Sequence, residues 1–499
     1  MSSNNQLGTL TRRQDNGRTN LWELILYPAG AIVSILFLMA MMLVSFYAAG
    51  IVGLGTVVAS VIITGTRILD SVTDPIMGYI IDRTQGRFGK VSIFLFFGFI
   101  IMAVTTLLIY FTSHLVPESI KMIYFIFLYV IFIFGYTFYS VASTAGYSIL
   151  TRDSSQRPTL GAAAAIYISL VSAIFGFVLS NFLVPKYGGL NNAGIYQELT
   201  IWIIVAGAVL TSIALFVIWP KDRVENYGDG NVDAKPLNFR EMFSVLKGNR
   251  NLQLFIVAAA TDKLAMQIKG NQVVGVMLFG IIIGNFALAG QLALIALIPN
   301  ILFILFGFGF ARKRGSKSGL VMTTWMSIFV AIISFLVLWI GDPTQISLTN
   351  WGFMTVAFVV SYLALTSLVK LPLAFVTPMI PDIVDYEAYK SGRYVPGVVS
   401  SVYSFIDKGV SSLAQTVVGI CLAMIGFKAA FPDVNTPYSD SIFWMAMFLN
   451  YGILILGWIA TLIAMKFYKL DKNKMEEIRI ELDKRREKNQ ESVIEAKAK

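Results

Sequence analysis

One cysteine and one histidine occur in 499 residues, and acidic side chains are scarce, 29 Asp and Glu against 39 Lys and Arg. Each shortage excludes something. A single cysteine, Cys421, closes no disulfide within the chain, so nothing marks an oxidising compartment; inside an apolar run it reads as a small buried side chain. A single histidine, His114, lies at the end of an apolar run and joins no metal or catalytic cluster. No Ser/His/Asp set, zinc spacing or nucleotide-binding glycine loop is present, so neither an enzyme nor ATP-driven transport is supported, and no cofactor or resident metal is expected.

What the sequence has in excess is apolar surface. Hydrophobic residues make up 56% and charged residues 14%, with a mean hydropathy of +0.70. A soluble domain cannot dispose of that much, so the class is membrane. The 40 glycines suit close helix packing in lipid. The net charge of +10 sits in short loops and tails, which fits orientation in a bilayer rather than nucleic-acid binding. The expected partners are lipid and a small-molecule substrate, with no nucleic acid, and the chain is expected to be monomeric.

Crossing about 30 Å of hydrocarbon takes roughly 20 residues. Suitable runs cover 23–47, 54–80, 91–112, 121–149, 160–183, 199–219, 252–278, 282–310, 320–340, 352–378, 396–426 and 440–466. Residues 1–20 are polar and the first run has no cleavable small-residue end, so it reads as a membrane helix, not a signal peptide. The polar stretch Lys221–Asn251 divides six runs from six, the layout of a repeated transporter. The expected organisation is an N-terminal tail (1–22), a six-helix bundle (23–220), a central loop (221–251), a second bundle (252–468) and a charged tail (469–499). Basic residues crowd the stretches 83–90, 152–157, 221–250, 312–317 and 390–393, while the opposite loops hold only Lys121, Lys186 and Lys428. The crowded side, with both termini, is therefore expected in the cytoplasm of an inner-membrane protein. The tail reads as a cytoplasmic helix, either solvated or lying on anionic lipid.

The second run carries Arg67-Ile-Leu-Asp70-Ser-Val-Thr73-Asp74-Pro75 and continues through Gly78, Asp82, Arg83, Gly86 and Arg87. At 100° per residue Arg67, Asp70 and Asp74 fall within about 60° of arc, on one helix face. Charges at membrane depth cost about 2.5–3.5 kcal/mol each on insertion scales, so these groups face a cavity or one another. Two carboxylates one turn apart repel unless a cation or proton lies between them. Oxygen ligands suit a hard cation such as Na⁺, and a shared proton serves as well. A structural Arg–Asp network is the alternative; two acids with one local base favour the ion site.

Gly78-x-x-x-Asp82-Arg83-x-x-Gly86-Arg87 resembles the loop signature of the major facilitator superfamily, with one extra residue. An Asp there can accept from Arg or from a helix N-terminus and latch two halves together. Arg67, Asp82, Arg83 and Arg87 are accordingly gating or structural candidates.

Asp70-x-x-x-Asp74-Pro75 running into Gly78-x-x-x-Asp82-Arg83 is similar to the glycoside–pentoside–hexuronide cation symporters, typified by melibiose permease. Pro381-Asp382-Ile-Val-Asp385-Tyr386 and Ser404-Phe-Ile-Asp407-Lys408-Gly409 agree with that resemblance. It implies an all-α membrane protein of the major facilitator fold, with about twelve helices in two six-helix bundles. It implies a cation site at Asp70 and Asp74 with Thr73 and Thr137, and a responsive lysine at Lys408. Asp382, Asp385 and Tyr386 join the gating or structural candidates. The family's sugar contacts are not kept: their positions hold Ser34, Ser140, Thr144 and Ala165.

For the substrate, the candidates are Lys408, Lys370, Asp262, Lys263, Tyr136, Tyr139, Ser140 and Tyr403. The excess of lysine over acid in the second half hints at an anionic ligand, against local ion pairs and snorkelling as the plainer account. The function implied is a secondary active symporter coupling Na⁺ or H⁺ entry to uptake of a glycoside or acidic sugar derivative by alternating access. Two alternatives are a cation-coupled transporter of a non-sugar amphiphile or sulfonate, and a non-transporting membrane sensor on the same fold.

Overall fold

The computed structural model describes residues 19–84, 89–151, 156–222, 239–392 and 396–498. Twelve segments follow one another: α1 (Leu21–Ile51), α2 (Thr56–Arg83), α3 (Ser92–Thr112), α4 (Glu118–Leu150), α5 (Thr159–Tyr187), α6 (Ala193–Ile218), α7 (Arg250–Lys269 with Gln272–Ile282), α8 (Ala287–Ile295 with Leu297–Arg314), α9 (Ser316–Ile340), α10 (Phe353–Leu368 with Pro372–Ser391), α11 (Pro396–Met424) and α12 (Asp440–Phe467). A short helix, Phe239–Gly248, lies between α6 and α7, and a further helix, labelled α13 (Lys472–Ala498), forms the tail.

Eight of these helices are long and apolar enough on their own to cross a membrane, and α7 and α8 qualify as pairs bent by 53° and 44°. The remaining two are explained by their residues. Helix α2 carries Arg67, Asp70 and Asp74 among its apolar residues, and the first part of α10 is a short apolar helix.

The breaks have local causes. Pro299 cannot donate to the carbonyl four residues back, so α8 breaks just before it; Pro372 does the same in α10. In α7 the second half restarts at Asn271, whose side chain accepts from the Val273 N–H at 2.9 Å. The α10 break corrects the sequence expectation in two ways. The run 352–378 is not one helix, so Lys370 lies in a turn between half-helices rather than deep within a helix. The second half-helix also extends to Ser391, so Asp382, Asp385 and Tyr386 project from a helix.

Two crossings join the halves, α2 with α11 and α5 with α8. Both need glycine. A Cβ on Gly290 would lie 2.5 Å from Phe177 Cα, and one on Gly419 would lie 2.7 Å from Ser60 Cβ. In lipid such close backbone approach is what holds helices together.

The end poor in basic residues is sealed across the halves. Asp433, in the α11–α12 turn, accepts from the Leu190 and Asn191 N–H groups at 2.9 and 3.2 Å. The Thr56 N–H and hydroxyl donate to the Lys428 and Phe427 carbonyls at 2.9 and 2.8 Å. Phe46 and Phe431 close the seal with ring centroids 5.6 Å apart.

The tail helix α13 does not present its apolar residues to lipid or water throughout. Met475 and Ile478 are buried against the α10 half-helix, Tyr468 and Leu470, a docking that neither sequence reading of this segment included, while Ile480 is exposed. Arg479 bonds Asp382 at 2.8 Å, with Asp385 at 3.8 Å, and Arg485 donates to the Tyr389 carbonyl at 3.0 Å. Asp382 and Asp385 thus hold the tail in this structure.

Candidate functional site

Asp70 lies midway along α2, about 21 Å below the Thr56 end at 1.5 Å per residue. Lys408 is about 24 Å from the same end of α11, and Lys370 about 26 Å from the same end of α10. Asp70 and Lys408 thus both lie near the middle of their helices, and Lys370 lies at the break of α10.

Around Asp70 the sequence-predicted ion ligands converge. Thr137 of α4 donates its hydroxyl to Asp70 Oδ1 at 3.0 Å. The Thr73 hydroxyl lies 3.3 Å from that of Thr137 and donates to the Asp70 carbonyl at 3.1 Å. Both threonines are buried. From the other half, Lys408 Nζ stands 3.7 Å from Asp70 Oδ2. That is ion-pair range but beyond a good hydrogen bond. A carboxylate with hydroxyl oxygens beside it is a hard-cation donor set, and the ammonium is placed where an incoming cation would compete with it. The expectations for Asp74, Asp82 and Arg83 concern side chains outside the described residues, and Arg87 lies wholly outside them.

The substrate candidates scatter into three groups. Ser140, one turn from Thr137, is bonded to the Thr137 carbonyl at 3.4 Å, and Tyr136 stacks on Phe132 at 6.4 Å. Lys263 faces Asp407 at 3.9 Å, while Asp262 accepts from Thr461 of α12 at 2.7 Å, so the adjacent acid and base turn to different helices. Tyr403 packs on Phe255 of α7 at 5.3 Å. Lys370 lies in the turn that breaks α10, and the Lys269 ammonium sits 5.6 Å over the ring of Tyr362 in the first half of that helix. One candidate is corrected: Tyr139 is fully buried and its hydroxyl bonds the Gly30 carbonyl at 2.9 Å and Thr211 at 3.1 Å. It ties α4 to α1 and α6 and is a packing residue.

Sequence reasoning missed the most polar wall of the central space. A cavity of about 150 Å³ between the halves is lined by Ser45 of α1, Arg67 of α2, Gln267, Asn271 and Gln272 of α7, and Ser411, Ser412 and Gln415 of α11, with apolar Leu38, Met41 and Ile63. Asn271 donates to Gln415 Oε1 at 2.6 Å, leaving the buried Gln415 amide nitrogen and the Ser45 hydroxyl without a partner among the described residues. Unmet donors and acceptors on both sides of a cavity await a polar ligand or water. The wall draws on α1, α2, α11 and both sides of the α7 break, where Gln267 ends one helix and Asn271 caps the next.

The profile described as MFS/sugar transport protein matches residues 25–472. The chain is 25% identical over 433 residues to the isoprimeverose transporter of Lactiplantibacillus pentosus, covering 86% of this chain and 84% of that one. It is 22% identical over 479 residues to a glucuronide carrier protein homolog of Escherichia coli (strain K12), covering 91% and 93%. Among solved structures, a point mutant of the nucleoside transporter NupG superposes with a TM-score of 0.58 at 15% identity, over 89% of this chain and 99% of that one, a likeness of fold. The chain is thus a multi-pass membrane transporter that belongs to the glycoside–pentoside–hexuronide cation symporter family of the major facilitator superfamily.

Proposed function

We propose that this protein couples entry of Na⁺ or H⁺ to uptake of a glycoside or acidic sugar derivative by alternating access. The observation that carries the reading is the Asp70 carboxylate, held by Thr137 at 3.0 Å and faced across the bundle interface by Lys408 at 3.7 Å. With no ion bound, Lys408 compensates Asp70 and restrains the two halves. An entering cation takes its place at Asp70, Thr73 and Thr137, and the released ammonium changes the charge offered to substrate. Ion and substrate occupancy are then linked through one group, and the linkage is reciprocal at equilibrium.

A sugar is favoured over an amphiphile by the amide and hydroxyl wall of the central cavity, whose groups match ring hydroxyls. The names of the isoprimeverose and glucuronide relatives point the same way. In this reading the bundles 23–220 and 252–468 rock about the midplane. The sealed end faces outward, and the loop 221–251 with both termini faces the cytoplasm, following the basic loops.

The test is reconstitution in proteoliposomes with a panel of neutral glycosides, pentosides and uronides, under an imposed Na⁺ gradient and, separately, a pH gradient. One gradient should drive accumulation above equilibrium. Entry that only ever equilibrates, under either gradient, would overturn the symport reading.

A further inference from the structure

We infer that Arg67 and Gln415 form an anion-binding end of the central cavity, which receives the carboxylate of an acidic sugar; the inference rests on the transport reading above and names the charge of its substrate. Both residues line the cavity of about 150 Å³ between the halves, Arg67 from α2 and Gln415 from α11. The two helices are tied together beside them. The Thr64 hydroxyl donates to the Ser412 carbonyl at 3.0 Å, and the Thr416 hydroxyl donates to that of Thr64 at 2.7 Å. Arg67 follows Thr64 by one turn of α2, and Gln415 follows Ser412 by one turn of α11.

The cavity holds a charge that nothing in its lining balances. Among the described residues that line it, Arg67 is the only charged one, and no Asp or Glu is present. The next acid along α2, Asp70, is engaged elsewhere: Thr137 donates to one oxygen at 3.0 Å and Lys408 stands 3.7 Å from the other. No ion pair joins Arg67 to a carboxylate among the described residues.

The amides are turned to add donors to that charge. The Val273 N–H, at the head of the second half of α7, donates to Asn271 Oδ1 at 2.9 Å and fixes the Asn271 amide. The Asn271 nitrogen then donates to Gln415 Oε1 at 2.6 Å and fixes the Gln415 amide in turn. Both amide oxygens are thereby used, and Gln415 Nε2 is left buried with no partner among the described residues. A guanidinium and a free amide nitrogen offer donors only. A buried donor left unmet is costly, and so is a charge within the membrane. A carboxylate answers both, with a planar pair of oxygens that suits the guanidinium fork. A neutral glycoside answers the amide alone.

Plainer accounts do not cover Arg67. It lies about 17 Å along α2 from the Thr56 end and about 24 Å from the Arg83 end, so its stem does not snorkel to either interface. A latch to Asp70 is not formed, as the bonds of Asp70 show.

The test compares methyl β-D-glucuronide with methyl β-D-glucoside, matched except for the carboxylate. Binding to the purified full chain is measured by titration calorimetry, in Na⁺ and again in K⁺ at pH 6, so that either ion is supplied. The wild type should bind the glucuronide more tightly. Arg67→Gln should weaken glucuronide binding about tenfold to a hundredfold, as loss of a charge-assisted bond does, and leave the glucoside nearly unchanged. Arg67→Lys should fall between the two, because it keeps the charge and loses the fork. Gln415→Glu keeps an oxygen for Asn271, so the contact between α7 and α11 persists, but it sets a carboxylate against the guanidinium. That variant should bind the glucoside better than the glucuronide. Equal or absent binding of both probes by the wild type, or Arg67→Gln weakening both alike, would overturn the anion subsite while leaving cation-coupled sugar transport standing. So would a Gln415→Glu variant that keeps the wild-type preference. The symport reading falls separately, if neither gradient concentrates any glycoside in proteoliposomes, whatever the calorimetry shows.

Discussion

The two walls of the central space are built on opposite electrostatic plans. On the α2–α4 side a carboxylate is surrounded by hydroxyls: Asp70 with Thr137 at 3.0 Å and Thr73 close by. On the α7–α10–α11 side lysines stand among carboxylates: Lys408 reaches Asp70 at 3.7 Å, Lys263 faces Asp407 at 3.9 Å, Asp262 accepts from Thr461, and Lys269 lies over the Tyr362 ring. The first side gathers oxygen groups of the kind that suit a cation, and the second supplies the ammonium that would compete with one there. Lys408 is the only described lysine that reaches from the second wall to the first. Coupling in such a cavity needs no distant pathway, because filling one wall changes the field at the other.

Asp70→Asn should have the largest effect. It removes the acid of the first wall yet keeps an oxygen that can accept from Thr137, so the helix pair survives. Gradient-driven accumulation should fall to equilibration, while exchange of substrate across the membrane persists in part. A variant that still concentrates substrate in proteoliposomes would place the coupling ion elsewhere.

Lys408→Gln should come next, because it severs the two walls. Without the competing ammonium, apparent cation affinity should rise about tenfold, roughly 1.4 kcal/mol. Substrate affinity should fall and lose its dependence on cation concentration. Unchanged cation affinity in the titration would mean that the 3.7 Å approach is incidental.

Thr137→Val should cost less. A buried hydroxyl–carboxylate bond contributes about 1.5–3 kcal/mol when the acceptor is charged, so cation affinity should fall about tenfold or more with the fold intact. Thr137→Ser should restore most of it, which separates a ligand role from packing.

How much of this was legible in the sequence differs between the walls, for a physical reason. Asp70 announces itself because a charge in an apolar run is costly and the spacing puts the acids on one face; Thr73, Thr137 and Lys408 are legible only through the family resemblance. Neutral amides carry no such penalty, so Gln267, Asn271 and Gln415 carry no signal in the sequence, and only the packing of α7 against α11 shows them lining one cavity. The twelve runs followed from length and hydropathy alone. The split of α10 at Pro372 did not, because the apolar run continues across the proline and only the missing N–H interrupts it. Tyr139 misled for a related reason: an aromatic beside Ser140 looks like a sugar platform, yet its hydroxyl is spent on Gly30 and Thr211. The role of Arg479 was equally hidden, since no local pattern pairs a tail residue with Asp382, nearly a hundred positions earlier.

The smallest effect concerns the lysine that has its own acid. Lys263 and Asp407 are 3.9 Å apart, the lysine side chain is 39% exposed, and Asp407 Oδ1 is buried without a hydrogen-bond partner among the described residues. A pair this loose and this open to solvent contributes about 0–1 kcal/mol. Its removal as a pair should matter little, but breaking it should not be neutral. Lys263→Gln leaves half-buried Asp407 with only its chain neighbour Lys408 as counter-charge, and Asp407→Asn leaves Lys263 without its carboxylate. Each single variant should therefore lower the melting temperature more than the double variant Lys263→Gln/Asp407→Asn, and the double-mutant cycle should give a coupling of about 1 kcal/mol or less. The transport arm sharpens the contrast. Asp407→Asn raises the positive charge of the second wall and should tighten binding of an anionic probe modestly, whereas the double variant restores the original balance and should return it to the wild-type value. Singles that simply add to the double, in both stability and anion binding, would show that the two side chains act independently and that the second wall does not behave as one electrostatic unit.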